Sequence, residues 1–171
     1  MKKILKPAII AIIILPILIG IAPRPAASGS ENFSIYWLPF GEALRYAQEN
    51  NTLIFAYVYT DWCSQCKKMN NRTFTDPTLQ YYLSEKFVCT RINAESSTEH
   101  ECNGQRYSEQ QIAQMLGVNG YPTIVMLASR GGGNLGSFSG YREPNELQEI
   151  LTYYGDGHFL QMPFNKWRKQ R

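Results

Sequence analysis

The sequence has no excess of basic residues beyond its first segment, and this absence excludes one class of function. The 171 residues include 17 Lys and Arg and 14 Asp and Glu. Four of the basic residues lie within residues 1–27, which contain no acidic residue, so the rest of the chain carries 13 basic and 14 acidic side chains. Because affinity for nucleic acid depends on basic side chains that neutralise phosphates, we expect no nucleic-acid partner.

The sequence also lacks an uninterrupted apolar run of the ~20 residues that a membrane-spanning helix needs. Residues 8–22 are nearly all aliphatic, but Pro16 interrupts them. Lysines precede this run and small residues follow it, in the order of a secretory signal peptide. We expect residues 1–27 to be that signal, cleaved after Ala27 or Ser28, with an uncleaved membrane anchor as the alternative. No cysteine lies near the cleavage region, which argues against a lipid-modified terminus.

Internal repeats and low-complexity segments are absent, and the glycine-rich stretch does not have the pattern of a phosphate-binding loop. Residues 131–133 are three glycines, but neither a helix nor a lysine follows them as such a loop requires. The length suits one domain of about 100 to 150 residues with extensions. We therefore predict a single domain over residues 31–155 and a C-terminal extension over residues 156–171. We expect its basic and aromatic end to be a solvated tail or a terminal helix, with binding to a membrane surface as the alternative, because only Phe164 and Trp167 could insert.

The sequence does contain a pair of closely spaced cysteines directly after an apolar run. Cys63 and Cys66 enclose Ser64-Gln65, and residues 53–59 before them predict a buried strand. At a strand-to-helix junction this spacing places both sulfurs on one helix face, where they form a redox-active dithiol. Unpaired N–H groups at the helix start stabilise a thiolate on the first sulfur. We therefore expect an exposed Cys63 with a pKa below the ordinary value of about 8.5. Cys63 is then the attacking thiol and Cys66 the resolving thiol.

The remaining hydrophobic pattern predicts strands and helices in the order β-α-β-α-β-α-β-β-α. Strands are predicted at residues 35–38, 53–59, 87–93, 123–127 and 135–138. Helices are predicted at residues 40–50 and 63–71. Three further helices are predicted to begin at Pro77, which follows the capping residue Asp76, at Ser108 and at Pro144. Ser108 with Gln111 is the pattern of a capping box. Residues 93–107 are predicted to be a polar loop, and Tyr153 and Tyr154 to cover the sheet.

A second motif, Gly120-Tyr121-Pro122-Thr123, lies before a predicted strand. Together with Asp61-Trp62-Cys63-Ser64-Gln65-Cys66-Lys67 it resembles the thioredoxin superfamily over about residues 35–154. The long segment between Asn93 and Ser108 and the run Gly140-Tyr141 are similar to the exported thioredoxin-related proteins of bacteria. The resemblance implies an α/β, thioredoxin-like fold with a central mixed sheet of four to five strands flanked by helices. It also implies a monomeric, periplasmic thiol:disulfide oxidoreductase that acts on disulfide-containing proteins without an organic cofactor.

Three further residues are candidates for the site, and the resemblance assigns two of them. In the family, the proline that corresponds to Pro122 follows a cis peptide bond and packs beside the dithiol. The residue before it, here Tyr121, offers its backbone to an extended substrate peptide. Trp62 either shields the sulfurs and shapes the substrate groove or is a partly buried core aromatic.

Two departures from the family bear on mechanism. Thioredoxin has a buried aspartate six residues before the first cysteine, where this chain has Tyr57. Proton removal from Cys66 must therefore use another group, either Asp61 or water. The Ser64-Gln65 pair lacks the histidine with which strongly oxidising relatives stabilise the thiolate, and a less stabilised thiolate makes a more reducing couple. We predict a disulfide reductase, which in the periplasm must receive electrons from a membrane-embedded thiol carrier.

The other cysteines leave several alternatives open. Cys89 lies in a predicted strand and is expected to be a buried, inert thiol, with a disulfide to Cys102 as the alternative. We predict no metal, because a site of Cys63, Cys66, His100 and Cys102 would have a spacing that is unusual for zinc. Two other classes of function nevertheless remain: a metal-binding or metal-delivery module, and a non-catalytic interaction domain with a permanent disulfide.

Overall fold

A five-stranded mixed sheet forms the centre of the structure, a computed structural model that describes residues 34–170. The strands within these residues are β1 (Trp37–Leu38), β2 (Ile54–Tyr59), β3 (Val88–Asn93), β4 (Glu99–Cys102), β5 (Gln105–Ser108), β6 (Thr123–Leu127) and β7 (Asn134–Ser139). The order in the sheet is β1-β3-β2-β6-β7. β3 pairs in parallel with β1 and β2, whereas β6 is antiparallel to β2 and β7 is antiparallel to β6.

Helices flank this sheet. They are α1 (Phe40–Asn50), α2 (Ser64–Lys68), α3 (Pro77–Lys86), α4 (Glu109–Met115), α5 (Pro144–Gly155) and α6 (Phe164–Arg168), with a π-helical turn at Met69–Thr73 and a 3-10 turn at His158–Leu160. The predicted α/β class and the mixed sheet of four to five strands are confirmed. The first strand covers only two of the four residues predicted for it.

Strand β2 lies in the middle of the sheet and is buried on both faces, as its apolar sequence predicts. Phe55 and Tyr57 point into one hydrophobic cluster, which also contains residues of α3 and α5. Ile54 and Val58 point into a second cluster, which contains residues of α1 and α4. The alternation of side chains along the strand therefore divides the core into two layers separated by the sheet.

The helices begin where the capping residues predict. The backbone N–H of Gln111 donates to Ser108 Oγ at 3.2 Å, and the backbone N–H of Ser108 donates to Gln111 Oε1 at 2.8 Å. Asp76 Oδ1 accepts from the backbone N–H of Leu79 at 3.0 Å. Pro144 occupies the first turn of α5. Each of the three hydrogen bonds satisfies an N–H that the helix itself cannot pair, and Pro144 has no N–H to satisfy.

The polar loop predicted for residues 93–107 is wrong in its second half. β4 and β5 form an antiparallel hairpin there, apart from the main sheet. Its two-residue turn is Asn103-Gly104, with φ of 54° and 80°. A tight hairpin turn of this kind requires positive φ at both positions, and Asn-Gly adopts it at low cost. The polar composition of this segment predicted a loop, although the Asn-Gly pair is typical of a hairpin turn.

The helix after Cys63 is less regular than predicted. α2 ends at Lys68 and continues into the π-helical turn, in which the backbone N–H of Phe74 donates to Met69 O at 3.0 Å. The end of this segment is fixed to the loop before α5, because the buried Thr73 donates its hydroxyl to Arg142 O at 2.6 Å. A π-helical turn adds one residue per turn and changes the direction in which the following side chains point.

The C-terminal extension folds against the core. Trp167 of α6 is buried beside Tyr153, which donates its hydroxyl to Met162 O at 2.7 Å. Within residues 156–170 the terminal helix is Phe164–Arg168. Tyr153 and Tyr154 are buried in the core cluster on the α3 and α5 side of the sheet, as predicted.

The signal or anchor predicted for residues 1–27 lies outside the described residues. Between residues 34 and 170, none of the helices has both the length and the apolar content needed to cross a membrane.

Candidate active site

A disulfide between Cys63 and Cys66 lies just beyond the carboxyl end of β2. The strand ends at Tyr59, and the backbone N–H of Cys63 donates to Thr60 O at 3.3 Å, which closes a tight turn. Cys63 is the N-cap residue of α2, and its Cα lies 5.2 Å from that of Cys66. The strand-to-helix junction predicted from the sequence therefore brings the two cysteines together.

The sulfur of Cys63 takes the place of a capping oxygen. The backbone N–H of Cys66 donates to Cys63 Sγ at 3.1 Å. The N–H groups of the first helical turn have no partner within the helix and carry partial positive charge. In the reduced protein a Cys63 thiolate would accept the same hydrogen bond. Because this bond stabilises the charged form, it favours ionisation of Cys63.

The expectation that Cys63 is exposed is wrong for this disulfide form. Cys63 is 4% exposed and Cys66 is 1% exposed, and both belong to the hydrophobic cluster that contains Tyr57. The burial comes from packing within that cluster, which also contains Met69, Phe74 and Ile124. The exposed residues around the dithiol are instead Asp61, Trp62, Ser64 and Gln65.

Tyr57 occupies the buried position below the resolving cysteine. It is 1% exposed, and its hydroxyl donates to the carbonyl oxygen of Cys66 at 3.2 Å. Burial raises the pKa of this phenol above its ordinary value, with a further contribution from Tyr59, whose ring stacks on it at 5.5 Å. Tyr57 is therefore a neutral hydrogen-bond donor that holds the backbone of Cys66, and its chemistry differs from that of an aspartate that accepts a proton.

Trp62 and Tyr121 lie side by side at the exposed edge of the site. Trp62 is 64% exposed, which excludes the core-aromatic alternative. Its ring meets the ring of Tyr121 edge to face, with 6.1 Å between centroids, and Tyr121 packs against the cluster that contains both cysteines. The peptide bond between Tyr121 and Pro122 is cis, as predicted, and the Pro122 carbonyl accepts from the backbone N–H of Gly140 at 2.7 Å.

Two hydrogen bonds join the turn before Cys63 to the last residue of β3 and to the loop after it. Trp62 Nε1 donates to Glu95 Oε1 at 2.9 Å, and Asn93 Nδ2 donates to Asp61 Oδ2 at 3.0 Å. Sequence reasoning missed Asn93 and Glu95. Both contacts connect residues more than thirty positions apart, and no local pattern in the sequence marks either partner.

Basic side chains after the dithiol contact the segment before α5. Lys68 Nζ lies 3.9 Å from the centroid of the Tyr141 ring. Glu143 pairs with Lys68 at 3.7 Å and with Arg72 at 2.9 Å. These exposed pairs each contribute on the order of 0.2 to 1 kcal/mol, so they add little to the stability of the site.

Cys89 and Cys102 are free thiols, so the alternative of a disulfide between them is wrong. Cys89 belongs to the same hydrophobic cluster as the dithiol, whereas Cys102 belongs to the cluster on the other face of the sheet. Burial raises the pKa of the Cys89 thiol to about 12. Burial and the charge of Glu101 also raise the pKa of Cys102. The prediction that Cys89 is a buried thiol is confirmed.

Metal-binding side chains do not cluster within residues 34–170. No group of three or more His, Cys, Asp or Glu side chains there could hold a metal ion. His100 was one of the ligands in the metal alternative, and its Nε2 atom lies 3.1 Å from Glu109 Oε1.

Comparisons with known proteins agree with this geometry. The family model of the thioredoxin-like domain matches residues 40–155, and the chain belongs to this family. Among solved structures, a thioredoxin-fold protein of Helicobacter pylori has a TM-score of 0.64 at 22% identity, covering 82% of this chain and 87% of that one. A thioredoxin of Thermus thermophilus has a TM-score of 0.57 at 27% identity, covering 73% of this chain and 95% of that one.

A curated relative carries the name of a redox protein. It is the thiol:disulfide interchange protein DsbD of Photorhabdus laumondii, 27% identical over 84 residues. The matched part is 49% of this chain but only 13% of that relative, so the chain corresponds to a small part of it.

The raised pKa values of the two free thiols predict that they are unreactive in the folded protein. With a pKa of about 12, only about one Cys89 thiol in ten thousand is ionised at pH 8, and the thiolate is the reactive form. We expect N-ethylmaleimide at pH 8 to leave Cys89 and Cys102 of the oxidised protein unlabelled and to label both in guanidinium chloride. Mass spectrometry after tryptic digestion measures the extent, and rapid native labelling of Cys89 would contradict its assignment as a buried thiol.

Proposed function

We propose that this protein is a periplasmic thiol:disulfide oxidoreductase that acts chiefly as a disulfide reductase. The observation that carries the proposal is the position of Cys63, bonded to Cys66 and capping the helix with a backbone N–H on its sulfur. Similarity to a thioredoxin and to a thiol:disulfide interchange protein supports it. The order of residue types in residues 1–30 supports export.

In the reduced protein, the Cys63 thiolate attacks one sulfur of a substrate disulfide. A mixed disulfide forms between Cys63 and that sulfur, and the second substrate sulfur leaves as a thiolate, which takes up a proton. Cys66 then loses its proton and attacks Cys63 Sγ. The bond between Cys63 and the substrate breaks, and the first substrate sulfur leaves and is protonated. Two electrons have passed to the substrate, and the Cys63–Cys66 disulfide remains.

The protein must then be reduced again. Because the periplasm has no thiol buffer of its own, the electrons come from a second dithiol, and we assign that role to a membrane-embedded thiol carrier. The exchange uses the same two cysteines in reverse and requires no organic cofactor. The proton released by Cys66 passes to Asp61, to water or to the departing substrate sulfur, because Tyr57 is a neutral donor.

Trp62 and Tyr121 form the substrate-docking edge in this proposal. Their rings lie 6.1 Å apart beside the disulfide, and Trp62 is largely exposed. An extended peptide with a disulfide would pair with the backbone of Tyr121 at the turn that contains Pro122, while the Trp62 ring covers its apolar side chains.

The roles of the two cysteines predict different defects. We expect Cys63→Ser to reduce the rate of insulin-disulfide reduction to the uncatalysed background, because the attacking thiolate is lost. Cys66→Ser should instead accumulate protein in mixed disulfides, because the resolving thiol is lost. Turbidity of insulin and non-reducing electrophoresis measure the two effects, and Cys89→Ala is the matched control with normal turnover. Full turnover by Cys66→Ser would show that the roles are assigned wrongly.

The direction of the reaction predicts the reduction potential. Because Ser64-Gln65 supplies no positive charge to the thiolate, we expect a value near the ~−270 mV of thioredoxin, far from the ~−120 mV of the strongest periplasmic oxidant. Equilibration in glutathione and dithiothreitol buffers, followed by thiol trapping, measures it. A value above about −160 mV would make the protein an oxidase on this scale, and one below about −300 mV would favour a permanent structural disulfide.

A further inference from the structure

The exposed ring of Trp62 is held by one specific side chain. Although the ring is 64% exposed, its Nε1–H donates to Glu95 Oε1 at 2.9 Å. Its other described contact is the edge-to-face packing on Tyr121. An exposed tryptophan side chain ordinarily samples several rotamers. Here a charge-assisted hydrogen bond on one side and a ring on the other select one of them.

Glu95 can act in this way because the backbone that carries it is fixed. It lies in the β3–β4 loop, which we define as residues 94–98. At the start of the loop, the backbone N–H of the buried Ala94 donates to the carbonyl oxygen of Tyr59, the last residue of β2, at 2.9 Å. The backbone N–H of Glu95 itself donates to Asn93 Oδ1 at 3.1 Å. The carboxylate is therefore presented from a loop that is hydrogen-bonded to the end of β2, the strand that leads into the dithiol.

The far end of the β3–β4 loop is fixed as well. The backbone N–H of Gln110 donates to Ser96 O at 3.1 Å, and that of Glu109 donates to Thr98 O at 3.0 Å, so α4 holds the loop. The side chain of Glu109 reaches the backbone N–H of Asn93 at 3.0 Å. Asn93 in turn donates to Asp61, the residue before Trp62. The turn that carries the tryptophan is thus attached to this frame at two adjacent residues.

We propose that Glu95 is a positioning residue that fixes the Trp62 ring as one wall of the protein-disulfide docking edge. This inference rests on the proposed function, because the edge matters only if disulfide substrates dock there. With the ring already ordered in the free protein, a docking substrate does not have to immobilise it. Ordering a large side chain on binding weakens affinity. Glu95 therefore determines affinity for protein substrates and leaves the chemistry at Cys63 unchanged.

Kinetics with two kinds of substrate test this assignment. We expect Glu95→Ala to raise the KM for insulin about three- to tenfold with kcat unchanged, which is the effect expected when one ordered side chain becomes mobile. The rate with the small disulfide 5,5′-dithiobis(2-nitrobenzoate) should stay the same, because this reagent does not span the docking edge. Glu95→Gln should retain the wild-type KM, because its amide oxygen still accepts from the indole. Glu99→Ala, which removes an equal charge from an exposed ion pair with Arg106, is the control.

A spectroscopic readout separates this inference from the proposed function. In 1H–15N spectra, with the Trp62 indole signal assigned through Trp62→Phe, hydrogen exchange of that indole should be faster in Glu95→Ala and unchanged in Glu95→Gln. If the wild type reduces no disulfide, the proposed function has failed, whereas the indole exchange still tests whether Glu95 holds the ring. Unchanged KM and unchanged indole exchange in Glu95→Ala would overturn the inference. So would a Glu95→Gln variant that behaves like Glu95→Ala, since charge alone would then account for the effect.

Discussion

The hydrogen bond from the backbone N–H of Cys66 to Cys63 Sγ is the interaction on which the site depends. It exists because β2, buried on both faces, ends one short turn before a helix begins. The strand fixes where the turn starts, and the turn makes Cys63 the N-cap of α2. From this position the first sulfur faces the unpaired N–H groups of the helix and the second lies within bonding distance. Below them, Tyr57 holds the Cys66 carbonyl in place.

The sheet separates this site from the rest of the chemistry in the chain. The dithiol and Cys89 lie in the cluster on one face, and Cys102 lies in the cluster on the other. The sheet therefore separates Cys102 from the reactive pair, whereas Cys89 shares their face and has a pKa that burial raises to about 12. The hairpin of β4 and β5 also packs on the second face, and Gly41 of α1 lies so close to the backbone of Glu101 that a Cβ atom there would collide with it. The structure connects this face to the dithiol through Glu109, Asn93 and Asp61.

Much of the fold could be predicted because it depends on local physics. The apolar run of β2 and the capping residues Asp76 and Ser108 act over a few positions, and their elements lie where expected. The prediction failed where local composition is ambiguous or where contacts are distant. Polar residues around Asn103-Gly104 resembled a loop, although two positive φ angles make a hairpin. The hydrogen bond between Trp62 and Glu95 depends on how β3 packs beside β2, which no pattern near either residue reveals.

The central claim is that the helix start makes Cys63 a thiolate nucleophile. Its most direct test is the ionisation of Cys63 in the reduced Cys66→Ala variant, followed as thiolate absorbance at 240 nm against pH. The other two thiols ionise at higher pH than an ordinary cysteine, because burial raises the pKa of Cys89 to about 12, and burial with the charge of Glu101 raises the pKa of Cys102. The account predicts a Cys63 pKa below the value of about 8.5 for an ordinary cysteine. A pKa at or above 8.5 would contradict it, because the sulfur would then gain nothing from its place at the end of β2.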